Sequence, residues 1–489
     1  MNIEEMKIAD IQKGYRKKTF TVKEIITAYF DKIKNTHKNI GGFISLGEEK
    51  ALQEAKVIDS KIQAGEEIGG LVGIPIALKD NISTKDLKTT CASRMLQDFV
   101  SPYDASMVTK LRDVGGIIIG KTNMEEFDMG YSVEDSYFPV TKNPWNFKKT
   151  AGTCGAAAVV AAGFSPLSFA SDIDGSLRQS AGFCGVVGLK PTYGLVSRFG
   201  LFSSAGSLDQ IGPMAKNVED CAIGLAMIQG KDMRDGNSYK GNLAMDYIKE
   251  LKKDVKGIKI GIPKEVFRNI LDPEVSQGFD KSIRALEKIG VNLEEFSLPT
   301  MESGLLVNYI IASAEASSNL ARYDGIRYGY RSKSFEGIDE LMVNSRSEAL
   351  GNEVKKRIML GGLVLSSGYY DKYYKRATDL RNKIRADFVR GLEEYELILT
   401  PTSPILPFDI AGDKKDPLEV YRSKIYTVGA NLTGLPAISI PCAFTSHNLP
   451  IGLQFIGNYY CENKLFNIAY NLERELDIDK KTPILKEVW

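Results

Sequence analysis

The chain has 489 residues, 43% of them hydrophobic and 26% charged, ordinary values for a folded globular protein that exclude a disordered one. Its 63 basic residues are balanced by 62 acidic ones, and a net charge of +1 lacks the global electrostatic footprint of a nucleic-acid binder. Only two histidines are present, His37 and His447, so chemistry that needs two or three imidazoles is nearly excluded.

The segment Met1 to Lys7 is charged and has no apolar core, so it does not read as a secretory signal. No run of about 18 apolar residues predicts a membrane span. Six scattered cysteines (91, 154, 184, 221, 442 and 461) form no C-x-x-C pair and read as free thiols of a cytoplasmic protein, not as a disulfide framework or a metal site.

The length allows about three domains or one large one. The first sixty residues read as helical, with Thr21-x-x-Glu24 as a capping box before Ile25, Ile26, Tyr29, Phe30 and Ile33 at helical spacing. Residues 73–78 predict a buried strand, 108–114 a helix and 117–119 a strand. Residues 151–188 are dominated by Gly, Ala and Ser and hold three charged residues, Asp172, Asp174 and Arg178. The pattern restarts with a strand at 258–262 and a helix at 273–289 with Asp272 as its cap and Pro273 at its first position. Helix is predicted from 303 to 322 and on to about 393. Buried strands follow at 397–400 and 437–440. Strands alternating with helices predict an α/β fold, and because both ends of the chain supply strands, one large sheet is favoured over separate domains.

Two motifs fail. Gly115 to Thr122 matches the phosphate-loop pattern G-x4-G-K-[ST], but three isoleucines occupy the loop positions and would sooner form a strand that Gly120-Lys121-Thr122 leaves. A Ser-His-Asp triad fails on histidine supply, since His37 and His447 lie in polar segments and read as solvated surface residues. Without an imidazole, the base for a nucleophile must be Lys, Asp, Glu or a second hydroxyl. Lys79 follows an apolar strand directly, where burial would lower its pKa and let it accept a proton, or where it simply leaves the sheet into solvent. Ser176 lies where Ile173-Asp174-Gly175-Ser176 turns from a strand end into a helix; it is either a helix cap or a nucleophile beside backbone N–H groups that can stabilise an oxyanion.

These features together resemble the amidase signature family, on the side of its amidotransferase subunits, over essentially the whole chain. The segments that carry the resemblance are Gly73 to Asn81, Gly120 to Phe127, Asn143-Pro144-Trp145, Phe183 to Thr192, Ser207 to Pro213, Ala314 to Gly325, Arg357 to Gly361, Leu365 to Asp371 and the tail from Leu399 to Gln454. The resemblance implies an amidase-signature fold, a large central mixed β-sheet with helices on both faces. It also implies one domain over 1–489: a helical segment at 1–60, a signature core at 70–215, and a substrate-side half at 256–489 that returns strands to the same sheet.

The activity so implied is amide hydrolysis, foremost release of ammonia from glutamine through an acyl-enzyme. Ser176 would be the nucleophile, Lys79 the terminal base, and a bridging serine after a cis peptide bond the relay between them. Backbone N–H groups of Ile173, Asp174, Gly175 and Ser176 would form the oxyanion hole. Tyr309, Arg357 and Asp416 would hold the substrate's α-carboxylate and α-amino groups. No metal or cofactor is expected in this chain; ATP and Mg would be used by a partner protein. The implied partners are a B subunit that carries tRNA and a small C subunit.

Two departures fall on the chemistry. The family's Gly-Gly-Ser-Ser-Gly-Gly is here Ala151-Gly152-Thr153-Cys154-Gly155-Ala156, so the bridging position falls on Gly152, or on Thr153 with a slip of one residue. Asp174 stands where the family has Gly, and a carboxylate there opposes charge that develops in an oxyanion hole. Three readings stay open: a working glutaminase subunit with Thr153 as relay, a paralogue that has lost hydrolysis and serves in a complex, and a site retuned to another amide or acyl substrate.

Overall fold

The computed structural model describes all residues except 1–2, 131–132, 242–244, 271, 411–416, 479–480, 484 and 486–489, with 133 and 417–419 described by backbone alone. Eleven strands form one mixed sheet: β1 (Phe43–Leu46), β2 (Pro75–Lys79), β3 (Ile117–Thr122), β4 (Leu167–Asp172), β5 (Val187–Lys190), β6 (Gln210–Ala215), β7 (Lys259–Pro263), β8 (Asn292–Phe296), β9 (Leu397–Pro401), β10 (Ala437–Phe444) and β11 (Pro450–Gly457). Their spatial order is β1-β3-β2-β4-β6-β5-β10-β11-β9-β7-β8. Every residue of β2, β3, β4, β5, β6 and β9 is buried, which requires cover on both faces. The edge strands β1 and β8 alternate or expose their residues instead.

The two halves of the chain join where β10 pairs antiparallel with β5, Ile438 opposite Leu189. The expected return of strands from the second half to the same sheet therefore holds. In the first half β2 runs parallel to both β3 and β4, so the carboxyl ends of these strands share one rim, the usual place for ligands in an open α/β sheet.

Local signals account for much of this framework. Thr21 and Glu24 form a reciprocal capping box at the start of helix Val22–Ile40. Asp272 caps helix Pro273–Lys288 by accepting from the Glu274 N–H at 2.8 Å. The phosphate-loop look-alike is strand β3, and its Lys121 is spent on structure: fully buried, it donates to the Ile82 carbonyl at 2.7 Å and to Thr89 Oγ1 at 2.9 Å.

Three expectations are corrected. The first sixty residues are not all helical, because β1 intervenes and closes on β3. Helix does not run unbroken after 322: residues 323–337 are turn and coil, where Gly325, Gly329 and Gly337 interrupt it, and a single π-helical stretch, Asp371–Lys375, precedes helix Arg376–Glu394. His37 is no solvated surface residue. It sits in the last turn of its helix, its Nε2 accepts the Phe43 N–H at 2.7 Å, and it packs on Phe43 and Phe164, a structural role that leaves it far from a catalytic one. His447 is exposed, as read.

Candidate active site

The last residue of β2 is Lys79, and the last two of β4 are Ser171 and Asp172, so parallel pairing brings these groups to one rim. The chain then turns through Ile173, Asp174 and Gly175 and enters helix Ser176–Cys184. Gly175 caps that helix at φ +110°, and a Cβ there would collide with the Thr427 hydroxyl, so the turn demands glycine. Ser176 Oγ donates to the Ser171 carbonyl at 3.2 Å, and Lys79 Nζ reaches the same carbonyl at 3.3 Å. One backbone oxygen thus gathers the two residues read as nucleophile and base.

The turn is held by a buried ion pair. Arg178, fully buried, donates Nε to Asp172 Oδ2 at 2.9 Å and Nη2 to Asp172 Oδ1 at 3.1 Å. Its remaining N–H groups reach Gln454 Oε1 at 2.6 Å, Asn431 Oδ1 at 2.6 Å and the Thr427 carbonyl at 2.9 Å, which ties the turn to the second half of the chain. Burial alone would push the Asp172 carboxyl up, but the Arg178 guanidinium holds it down at about 2. Asp172 Oδ1 also accepts the Gly175 N–H at 2.7 Å. This corrects the expected oxyanion set: the Gly175 N–H already has an anionic acceptor, and of the four N–H groups those of Ile173, Asp174 and Ser176 are left for a substrate.

The predicted relay is corrected as well. The Thr153 hydroxyl is buried without a hydrogen-bond partner and does not join Lys79 to Ser176. Its backbone is turned elsewhere: Ser180 Oγ accepts the N–H groups of Thr153 and Cys154 at 3.1 and 3.0 Å, and Thr150 Oγ1 accepts that of Gly152 at 3.1 Å. Gly152 has φ +91°, and a Cβ on it would lie 2.5 Å from Ser180 Oγ, so the bridging position is closed to a serine in this backbone. Among the described residues every peptide bond is trans.

Lys79 instead has an anion. Its Nζ forms a buried ion pair with Asp128 Oδ1, while Asp128 Oδ2 accepts from Asn81 Nδ2 and Ser171 Oγ, each at 2.7 Å. Burial acts to lower the Lys79 pKa as expected, but Asp128, Cys154 and Glu125 outweigh it and carry the ammonium well above the ordinary lysine value. Asp174 has a counter-charge that sequence reading missed: Lys424 Nζ lies 2.7 Å from its Oδ2. Neither ion pair has a local signature, since the partners lie 49 and 250 positions apart in the chain.

A small cavity opens beside the turn, bordered by Asp128, Ile173, Asp174, Ser204, Asn308 and Arg357. Arg357 lies over the Tyr309 ring at 3.9 Å, and its Nε donates to Glu353 Oε1 at 3.3 Å. The structure thereby places two of the three expected substrate-holding residues together near Ser176. The third, Asp416, lies outside the described residues.

The protein-family model described as Amidase matches residues 24–466. The chain belongs to the amidase family. Among curated members it is 58% identical to the A subunit of glutamyl-tRNA(Gln) amidotransferase from Alkaliphilus metalliredigens, over 100% of both chains. It is 53% identical to the second A-type subunit of that enzyme from Clostridium acetobutylicum, over 97% of this chain and 100% of that one. Among solved structures it is similar to the A-type subunit from Thermotoga maritima, with a TM-score of 0.82, 36% identity and 99% of each chain covered. The peptide amidase of Stenotrophomonas maltophilia is a further family neighbour, with a TM-score of 0.83, 27% identity and 99% of each chain covered. Among the described residues no helix is long and apolar enough to cross a membrane.

Proposed function

We propose that this amidase-family chain is the glutaminase subunit of a glutamyl-tRNA(Gln) amidotransferase, hydrolysing the side-chain amide of glutamine and passing the ammonia to partner proteins. The observation that carries the reading is the meeting of Ser176 and Lys79 on the Ser171 carbonyl, at the rim where β2 and β4 end. Full-length similarity to the A-type chains of that enzyme supports it.

Ser176 Oγ attacks the amide carbon and its proton passes to Lys79. The N–H groups of Ile173, Asp174 and Ser176 face the developing oxyanion. Arg357, with Tyr309 beneath it, takes the substrate carboxylate in the adjoining cavity, and Asp416 takes the α-ammonium. Collapse of the tetrahedral intermediate expels ammonia and leaves an acyl-Ser176, which water hydrolyses to glutamate. A B subunit that binds tRNA and uses ATP and Mg, and a small C subunit, complete the assembly.

The test is ammonia release from glutamine by the chain together with such partners. Activity that disappears in Ser176→Ala supports the reading, and no ammonia from the complete assembly overturns it.

A further inference from the structure

A lysine can take the Ser176 proton only as the free amine, yet Lys79 lies in a buried ion pair. We infer that Asp128 is a positioning residue of this site: it holds Lys79 in the resting ion pair and yields it when a cationic group of the amide substrate enters the cavity that Asp128 borders. The inference rests on the proposed amide hydrolysis and names its substrate class, amides that carry an amine.

Three observations converge on Asp128. Its backbone is in the left-handed region at φ +59°, next to Phe127 at φ +52°, and two successive non-glycine residues there are strained. Such strain persists where surrounding structure over-determines it, and it concentrates at functional sites. The turn aims the carboxylate inward, where Asn81 and Ser171 hold Oδ2 while Oδ1 alone engages Lys79. Exchange at one oxygen therefore releases the lysine without dismantling the anchor. Asp128 also borders the substrate cavity with Asp174 and Arg357, so its carboxylate lies between the base and the place a substrate enters.

The surrounding charges favour such an exchange. The groups that act on Lys79 are Asp128, Glu125, Asp209, Cys154 and Cys91. Both Glu125 carboxylate oxygens are buried without a hydrogen-bond partner. Burial pushes the Glu125 carboxyl well up and Asp209 to about 7. The pocket is thus rich in carboxyl groups and holds one ammonium, and a second cation is electrostatically welcome there. When the incoming ammonium takes Asp128 Oδ1, Lys79 loses its main counter-charge, burial then disfavours its proton, and the free amine is left to accept the proton of Ser176.

The test compares glutamine with 4-carbamoylbutanoate, which has the same amide and carboxylate but no amine, in the complete assembly. Wild type is expected to cleave the amine-free amide with kcat lower by about tenfold or more, the scale of general-base catalysis. Asp128→Ala should raise kcat on the amine-free amide, narrow the difference between the two substrates, and move the acidic limb of the pH–rate profile down by about one unit or more. Asp128→Asn keeps the side-chain volume and serves as the second variant if the first does not fold. Equal loss on both substrates with an unmoved profile, or a wild type indifferent to the amine, overturns the inference while leaving amide hydrolysis standing. Absence of any ammonia overturns the underlying reading instead.

Discussion

Lys424 Nζ stands 2.7 Å from Asp174 Oδ2, with the two side chains 4% and 13% exposed. The acid that interrupts the turn before Ser176 therefore enters the site as half of a neutral pair, and the Thr427 hydroxyl fixes its carbonyl at 2.9 Å. This pairing resolves the conflict that a lone carboxylate beside an oxyanion hole would create. Lys424→Met leaves Asp174 uncompensated and should lower kcat by about 100-fold or more, the scale of a lost oxyanion donor. The double variant Lys424→Met/Asp174→Gly should recover most of that loss. A double variant as slow as the single one would refute the compensation.

Arg178 and Asp172 form the other buried pair, and the remaining Arg178 contacts lead from the nucleophile turn to the second half of the chain. Arg178→Met strands a buried carboxylate and should cost about 3–5 kcal/mol of unfolding free energy. Denaturant titration measures it, and a change below about 1 kcal/mol would mean that the pair does not hold the turn.

Restoring the family's serine at the bridging position should fail in this backbone. Gly152→Ser forces a side chain onto φ +91° and against Ser180 Oγ, so the melting temperature should fall, with a cost of about 1–3 kcal/mol. Adding Ser180→Gly removes the clash but also the acceptor of two N–H groups, and is expected to rescue little. Full stability in the single variant would show that the loop adapts.

Lys190, the last residue of β5, is fully buried and donates to the Pro191 carbonyl at 3.0 Å. Burial, followed by repulsion from Arg178, pushes it down to about 7. Its folded pKa lies below the unfolded value of about 10.4, so the unfolded chain binds more protons between those limits and stability rises with pH across them. Lys190→Met removes this term: its advantage over wild type in unfolding free energy should be largest below pH 7 and shrink toward pH 10. An advantage that does not change with pH would contradict the assignment.

What was legible in the chain was whatever depends on near neighbours. The run from Gly73 to Lys79 reads as a buried strand because β-branched and apolar residues follow a turn, and Asp172 to Ser176 reads as a strand-to-helix turn because it holds glycine at the corner. Strands β5 and β11 escape such a reading, since Gly188, Gly452 and Pro450 break their apolar runs and only sheet neighbours make them strands. The same limit hid the chemistry around the nucleophile. Ser176 and Lys79 are recognisable in their own segments, but Asp128 and Lys424 declare themselves only when folding brings them to their partners. Thr153 carries the right hydroxyl in the right segment, and the Ser180 anchor turns it away from the work.

The central claim is that Ser176 is the acylated nucleophile. Rapid quenching of the assembly during turnover of glutamine, followed by peptide mass spectrometry, tests it most directly. The account predicts a glutamyl increment on the peptide that contains Ser176 and none in Ser176→Ala. An increment on Cys154 or another residue, or an unmodified Ser176 in an assembly that Ser176→Ala still leaves releasing ammonia, would contradict it.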